Sequence, residues 1–240
     1  MKGTAKIWEG YLVLCLPVTD GMKRAALQEE HDYYATEESR RTHRINDSTR
    51  QYRGKGDHTR QGFLGESVYD LFRLVNKDLL PYIITSPRYQ STSTYWQKHK
   101  YDNKGGDTDF VADLQTQDTK TSDKPDKEVT LDVNAAALLR KPSDYYVLVW
   151  ASFLRPLGYV LGFAPRDIVT TYKPIQIFPK EDTRFHRVTH IWPISLYPQR
   201  HRLDSIRPLS CTAIFEELLY TYERGPHALY DVKTVTKDVL

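Results

Sequence analysis

Apolar side chains recur along this chain with two spacings, and each spacing predicts a different kind of element. In residues 61–75 the apolar positions form one stripe along a helix. That stripe consists of Leu64, Val68, Leu71, Phe72 and Val75. Residues 144–153 are instead continuously apolar and rich in β-forming residues, which indicates a central strand covered on both faces. Residues 158–163 predict a second strand, paired with the first across the turn at 155–157.

The other segments add strands and helices around this centre. Residues 22–53 carry many charges and few apolar side chains, which predicts a long, mostly solvated helix or a pair of helices. A flexible break is expected at 54–57, and residues 178–207 have an irregular pattern. The remaining predictions are strands at 6–18, 80–85, 105–111 and 129–134, a short helix starting at 165–169, and an amphipathic helix at 212–222.

These elements predict an α/β fold with a mixed central β-sheet flanked by helices. We expect three parts along the chain. Residues 1–60 form an N-terminal strand and a charged helical arm, residues 61–175 form the core, and residues 176–240 form an irregular segment and a helix packed on that core.

Two short strands with an acidic residue inside each, at 105–111 and 129–134, are the feature that bears most directly on chemistry. A polar insert at 114–128, rich in Thr, Asp and Lys, lies between them. Two strands joined by such a loop can bring Asp109 and Asp132 side by side. Two close carboxylates suit a hard divalent cation, although two ordinary surface acids would have the same sequence.

Net charge, cysteine spacing and the length of apolar runs bear on the partners and the compartment of the protein. The 240 residues carry a formal net charge of +3, which permits nucleic-acid binding without requiring it. Cys15 and Cys211 have no zinc-like spacing, so we expect a reduced, intracellular and cytoplasmic protein (in the host cell if viral), with a single disulfide left open. The apolar run at 11–16 is too short to span a membrane and ends at Pro17.

Basic residues cluster in two places that suit contacts with DNA phosphates. The charged arm has a basic second half, and the loop at 86–106 interleaves basic with aromatic residues. The candidates are Arg50, Arg53, Lys55, Arg88, Lys98, Lys100 and Lys104. A solvated helix face and an aromatic-anchored surface loop are the alternative interpretations.

His186 and His190 have a metal-like spacing of four on a helix, but the local sequence favours strand or loop. The role of that segment, with His201, is left open.

The order of these features resembles the PD-(D/E)XK nuclease superfamily, in particular its phage and restriction-type members. The shared order covers residues 62–168. It comprises a helix bearing Gly-Glu, a strand with Asp-Phe after glycines, a strand with Asp-Val-x, a strand opening Asp-Tyr-Tyr-Val and a strand ending Gly-Phe. The resemblance implies a restriction-endonuclease-like core.

The resemblance also implies roles for individual residues. Asp109 matches the family's first strand carboxylate, with Asp107 as the competing candidate. Asp132 matches the acid that stands two positions before a lysine on the next strand, but the lysine position here is Asn134. Glu66 matches the helix glutamate that completes the metal shell; its alternative role is that of a helix-dipole or capping glutamate.

The implied activity is a Mg²⁺-dependent DNA endonuclease, with Mn²⁺ as a substitute metal. Asp109, Asp132 and Glu66 would hold the metal, and Asn134 would hydrogen-bond the attacking water. Pairing of two chains into a homodimer is a further expectation, since such nucleases often cut two strands. Two alternatives stay open: a DNA-binding protein of nuclease fold that has lost cleavage, and an unrelated α/β protein whose aspartates are surface acids.

Overall fold

The computed structural model describes residues 12–35, 55–76, 83–84, 110–112, 115–123, 128–140, 142–177 and 183–224. Its helices are α1 (Asp20–Ala35), α2 (Lys55–Val75), α3 (Ala135–Arg140), α4 (Arg166–Thr171) and α5 (Cys211–Arg224), with a 3₁₀ helix at Ile194–Ser205. Its strands are β1 (Cys15–Pro17), β2 (Ile83–Ile84), β3 (Phe110–Ala112), β4 (Gln115–Ser122), β5 (Leu131–Asn134), β6 (Tyr145–Trp150), β7 (Leu157–Pro165), β8 (Ile175–Gln176), β9 (Arg184–Val188), β10 (His190–Pro193) and β11 (Leu209–Ser210).

Eight of the described strands form one mixed sheet. Its order is β11-β10-β7-β6-β4-β3-β2, and β1 pairs with β7 beside this path. Strands β4 and β6 run parallel, whereas their other neighbours are antiparallel. A parallel pair needs a crossover connection, and the chain between β4 and β6 includes β5 and α3. The predicted mixed central sheet flanked by helices is therefore confirmed, while the restriction-endonuclease-like core stays a prediction.

Strand β6 separates two hydrophobic cores, because its side chains alternate between the faces of the sheet. Val147 and Val149 belong to a first core, with side chains of α1, α2 and the 3₁₀ helix. Tyr146, Leu148 and Trp150 belong to a second core, with side chains of β5, α3, α4, β9 and α5. The prediction of a strand buried on both faces is confirmed.

A second sheet corrects the predicted pairing of the two acidic strands. Strand β3 pairs with β2 and β4, whereas β5 pairs with β9 in a separate sheet of order β5-β9-β8. The expected hairpin of β3 and β5 is therefore wrong. The physical reason is that the supposed polar insert contains β4, whose threonines favour strand geometry and which occupies the place beside β3.

The structure confirms one of the remaining predictions on secondary structure and corrects two. The stripe helix is confirmed as part of α2, but the break expected at 54–57 is wrong because α2 already begins at Lys55. The irregular pattern expected at 178–207 is also wrong where β9, β10 and the 3₁₀ helix lie. Among the helices that the structure describes, none combines the length and the apolar character needed to cross a bilayer. The three-part division of the chain stays a prediction.

Candidate functional site

Strand β4 is a polar strand in the middle of the main sheet. Its sequence, Gln-Thr-Gln-Asp-Thr-Lys-Thr-Ser, has no large apolar side chain. It is tied to β6 where both strands begin: the backbone N–H and the hydroxyl of Thr116 lie 2.9 and 2.8 Å from Oδ2 of Asp144. Gln117, Asp118 and Thr119 are buried. Buried polar residues at the centre of a sheet need hydrogen bonds or ion pairs to offset the cost of their burial.

The two faces of β4 have different neighbours. In the parallel register with β6, Thr119 lies beside Val147 and Lys120 lies beside Leu148. Because paired residues of neighbouring strands project to the same side, Thr119 faces the first core and Lys120 faces the second. By the two-residue period, Asp118 shares the face of Lys120.

Asp118 and Lys120 form an ion pair on that face. Nζ of Lys120 lies 2.6 Å from Oδ2 and 2.8 Å from Oδ1 of Asp118. Asp118 is only 3% exposed, whereas the side chain of Lys120 is 27% exposed. A buried carboxylate is costly unless a positive charge and hydrogen bonds compensate it. The lysine supplies that charge and, being part-exposed, connects the buried acid to the surface.

The sequence did not predict this ion pair of Asp118 and Lys120. The polar composition of 114–128 predicts a loop, and a loop would not aim Asp118 and Lys120 to one side. The available signal was an acid two positions before a lysine, flanked by β-branched residues at Thr116, Thr119 and Thr121. Such spacing places both charges on one face only if the segment is a strand.

Helix α2 packs on the other face of β4. The Tyr69 hydroxyl donates to Oε1 of Gln117 at 2.7 Å. A Cβ atom added to Gly65 would lie 1.8 Å from Oγ1 of Thr121, so the helix backbone approaches the strand closely there. Glu66 is 9% exposed and follows Gly65 in this interface. The structure thus brings Glu66 to the strand of Asp118, on a helix that covers the opposite face.

Asp132 has a different environment from the one that sequence analysis assigned. Leu131 and Val133 of β5 point into the second core, and Asp132 projects to the outer side. Its two carboxylate oxygens accept hydrogen bonds from Nε and Nη2 of Arg187, both at 3.0 Å. Thr130 donates a further bond at 3.3 Å. Asp132 and Arg187 therefore form a two-point ion pair between β5 and β9. The hydrogen bond to Asp132 raises the pKa of the Arg187 guanidinium.

Asn134 is the last residue of β5 and immediately precedes helix α3. Its Oδ1 atom accepts hydrogen bonds from the backbone N–H groups of Ala136 and Ala137, at 2.9 and 3.0 Å. These two N–H groups lie in the first turn of α3, where side-chain caps usually accept hydrogen bonds from the backbone. Asn134 is therefore a helix N-cap, which accounts for an asparagine at this position without reference to catalysis.

Several predicted site residues fall outside the described residues. They are Asp107, Asp109, Arg50, Arg53, Arg88, Lys98, Lys100 and Lys104. Lys55 is the first residue of α2. Their proposed roles in metal or DNA binding stay predictions.

The histidines do not share a site in the way their spacing suggested. His186 is buried on β9, and its Nδ1 atom donates to the carbonyl oxygen of Tyr172 at 2.6 Å. His190 is exposed at the start of β10, with Nδ1 3.0 Å from the Thr189 hydroxyl. Within the described ranges, no group of three or more His, Cys, Asp or Glu side chains could hold a metal ion.

Both cysteines carry free thiols, so the disulfide that the sequence left open is not formed. Burial raises the pKa of each thiol to about 12. Neither cysteine has the low thiol pKa of a reactive nucleophile.

Comparison of the chain with protein-family models, with curated proteins and with solved structures finds no match.

Proposed function

We propose that the protein is a metal-dependent endonuclease that hydrolyses DNA phosphodiester bonds, with Asp118 and Lys120 at its active centre. The observation that carries the proposal is the buried acid–lysine pair on the central strand. The two residues share one face, lie within 2.8 Å of each other and lead from the interior to the surface. This replaces Asp132 and Asn134 as the strand motif.

The order of elements around β4 supports the same interpretation. A helix with a glutamate (α2) precedes three antiparallel neighbours (β2, β3, β4), and β6 then runs parallel to β4. In the resemblance to PD-(D/E)XK nucleases, a strand that follows a carboxylate bears an acid two positions before a lysine. Asp109 precedes β3 in the sequence, and β4 supplies the acid and the lysine. In this proposal Asp118 and Lys120 take the places of the motif's acid and lysine, which the sequence analysis gave to Asp132 and Asn134.

The donor chemistry of this site fits a hard divalent cation in part. Asp118 offers carboxylate oxygens, the ligands that Mg²⁺ and Mn²⁺ prefer. A metal site needs further oxygens, and Asp109 is the candidate on the neighbouring segment. Glu66 is the weaker candidate, because α2 covers the face of β4 opposite to Asp118. A bound Mg²⁺ supplies Lewis acidity and lowers the pKa of a coordinated water.

The role of Lys120 follows from its ammonium group. Nζ lies beside Asp118 on a part-exposed side chain, so it can donate a further hydrogen bond outward to a water or to a phosphate oxygen. Charge that develops on a phosphate during hydrolysis is stabilised most by donors already held in place. The contact with Asp118 holds this donor in place.

The experiment is nicking of supercoiled plasmid DNA with Mg²⁺ or Mn²⁺. Asp118→Asn and Lys120→Ala are expected to abolish nicking, because each removes one member of the pair. Asp132→Asn is the matched control: it is also a strand aspartate paired with a basic side chain, and its nicking rate should equal that of the unmodified chain. Asp109→Asn and Glu66→Gln test the remaining metal ligands in the same assay.

Binding of Mn²⁺, measured by calorimetry, separates metal binding from catalysis. Asp118→Asn should weaken Mn²⁺ binding, whereas Lys120→Ala should retain it because it removes a positive charge and no ligand. Nicking that persists in Asp118→Asn, or that fails equally in Asp132→Asn, contradicts the assignment. DNA binding without nicking by the unmodified chain would point instead to the cleavage-deficient alternative.

A further inference from the structure

Four polar side chains form a row on one face of β4, the face of the candidate active centre. In the parallel register with β6, Lys120 lies beside Leu148 and Ser122 lies beside Trp150, and both of these neighbours belong to the second core. The two-residue period of a strand places the other members of the row at every second position. In chain order the row is Thr116, Asp118, Lys120 and Ser122.

Thr116 and Ser122 place a half-buried hydroxyl at each end of this row. The Thr116 hydroxyl donates its proton to Oδ2 of Asp144 at 2.8 Å and accepts a hydrogen bond from the backbone N–H of Asp144 at 2.9 Å. The Ser122 hydroxyl makes no hydrogen bond within the part of the chain that the structure describes. Of the two hydroxyls, that of Ser122 therefore has its proton available for a ligand.

Ser122 is held in place at the carboxyl end of β4. Its carbonyl oxygen accepts a hydrogen bond from the backbone N–H of Ala151 at 3.1 Å. The side-chain amide of Gln61, on α2, in turn donates to the carbonyl oxygen of Ala151. The end of β4 is thus tied through β6 to a helix, so little backbone order has to be gained when a partner binds there.

We propose that DNA reaches Asp118 and Lys120 from the carboxyl end of β4, where the Ser122 hydroxyl donates a hydrogen bond to a phosphate beside the one that is cut. The inference rests on the proposed nuclease function for the identity of the partner. Ser122 follows Lys120 by two strand residues, which is about 6.6 Å. That is about the axial length of two nucleotides of one DNA strand. A phosphate one or two nucleotides from the cleaved bond can therefore contact Ser122 while Lys120 contacts the cleaved phosphate.

The test compares Ser122→Ala with the unmodified chain in cleavage of a labelled DNA duplex with Mg²⁺. A contact with a phosphate that does not react binds the substrate and the transition state equally, so its loss raises KM and leaves kcat unchanged. Loss of one hydrogen bond to a charged group should raise KM roughly ten- to a hundredfold. Ser122→Thr keeps a hydroxyl at the same position and should keep KM near the unmodified value.

Thr121→Val is the matched control, because it removes a hydroxyl from the neighbouring residue on the opposite face of β4. Among the described residues, Oγ1 of Thr121 is buried without a hydrogen-bond partner, and it lies against Gly65 of α2. Valine has nearly the same shape as threonine, so both KM and kcat should be unchanged. Thermal unfolding checks that the three variants fold.

Binding of the same duplex in EDTA, measured by fluorescence anisotropy, gives a readout that does not depend on cleavage. Ser122→Ala should weaken binding by a factor similar to that in KM. The slope of log affinity against log salt should stay unchanged, because serine carries no charge and its contact releases no counterion. An unchanged affinity, or a loss that appears in kcat alone, overturns the inference.

The two assays distinguish the two proposals. If the unmodified chain cleaves DNA and Ser122→Ala has an unchanged KM, only the inference on Ser122 is refuted. If the unmodified chain binds DNA but does not cleave it, the nuclease function is refuted, and the affinity of Ser122→Ala in EDTA still decides whether Ser122 contacts DNA. If the chain does not bind DNA at all, both are refuted.

Discussion

Two glycines of α2 should respond in opposite ways to replacement by alanine, because only one of them lies where the helix approaches β4 closely. Gly62 and Gly65 both lie within α2. Replacing a glycine inside a helix with alanine normally stabilises the protein by about 0.5–1 kcal/mol, because alanine loses less backbone entropy on folding. At Gly62 an added Cβ meets no heavy atom within 4 Å, so Gly62→Ala should show this gain.

At Gly65 the same change should destabilise the protein. The added Cβ would lie 1.8 Å from Oγ1 of Thr121 and 2.8 Å from both its Cβ and its Cγ2. Rotation of the threonine side chain does not relieve the contact with its own Cβ, so helix and strand must separate. Overpacking of this kind typically costs about 1–3 kcal/mol. After subtraction of the helix gain, Gly65→Ala should be destabilising by up to about 2.5 kcal/mol.

Thermal unfolding and urea titration measure both variants. For a chain of this size, 1 kcal/mol corresponds to about 2–4 °C in Tm. Gly62→Ala should raise Tm and Gly65→Ala should lower it. In a Thr121→Ala background, Gly65→Ala should cost less, because two of the three contacts are gone. A Gly65→Ala protein more stable than the unmodified chain would refute this packing of α2 on β4.

Three further predictions concern residues outside the candidate active centre. Arg187→Met should lower the free energy of unfolding, measured by urea titration, by about 1–2 kcal/mol. Loss of one partner of a fully buried ion pair costs about 3–5 kcal/mol, but the side chains of Arg187 and Asp132 are 28% and 27% exposed. A loss as large as that of a fully buried pair would contradict this prediction. Asn134→Ala should cost about 1 kcal/mol through loss of the N-cap, and Asn134→Lys should bring no gain in nicking. With the pKa of each thiol at about 12, Cys15 and Cys211 should react slowly with a thiol reagent near neutral pH and fully in denaturant. Fast labelling of the folded protein would contradict the raised pKa of these thiols.

Elements with an apolar pattern were predictable from the sequence. Strand β6 is continuously apolar because both of its faces meet a hydrophobic core. The stripe of α2 is visible because one side of that helix packs on the sheet. In both cases the partner is simply apolar, so the pattern does not depend on knowing which residue it contacts.

Strand β4 could not be predicted in that way, because its neighbours are specific and distant in sequence. Oε1 of Gln117 accepts a hydrogen bond from Tyr69, which lies 48 residues earlier, and Thr121 lies against Gly65. A polar run has the same composition in a loop and in such a strand, and only tertiary contacts separate the two. A loop prediction for these residues also hides the acid and the lysine, because only a strand places Asp118 and Lys120 on one face.

For the acidic strand β5, the sequence predicted the strand but not its pairing partner. Its existence was predicted correctly, but its pairing was not. Local pattern indicates a strand without naming its neighbour. The neighbour is β9, whose Arg187 lies 55 residues from Asp132. An aspartate on a strand is therefore compatible with both a metal site and a structural ion pair until its partner is known.

Stability alone does not explain why a charged pair lies on the central strand. Burial of Asp118 costs several kcal/mol, which the contact with Lys120 offsets, and apolar side chains of similar volume usually do as well or better. Sites where a protein departs from the most stable choice tend to be functional. The double variant Asp118→Val/Lys120→Met should therefore equal or exceed the unmodified chain in urea stability while losing all nicking. The single variant Lys120→Met should be less stable than either, since it leaves a buried carboxylate without its cation. If the double variant is instead strongly destabilised and Lys120→Met alone leaves nicking intact, the pair serves the fold, and the active centre must lie elsewhere.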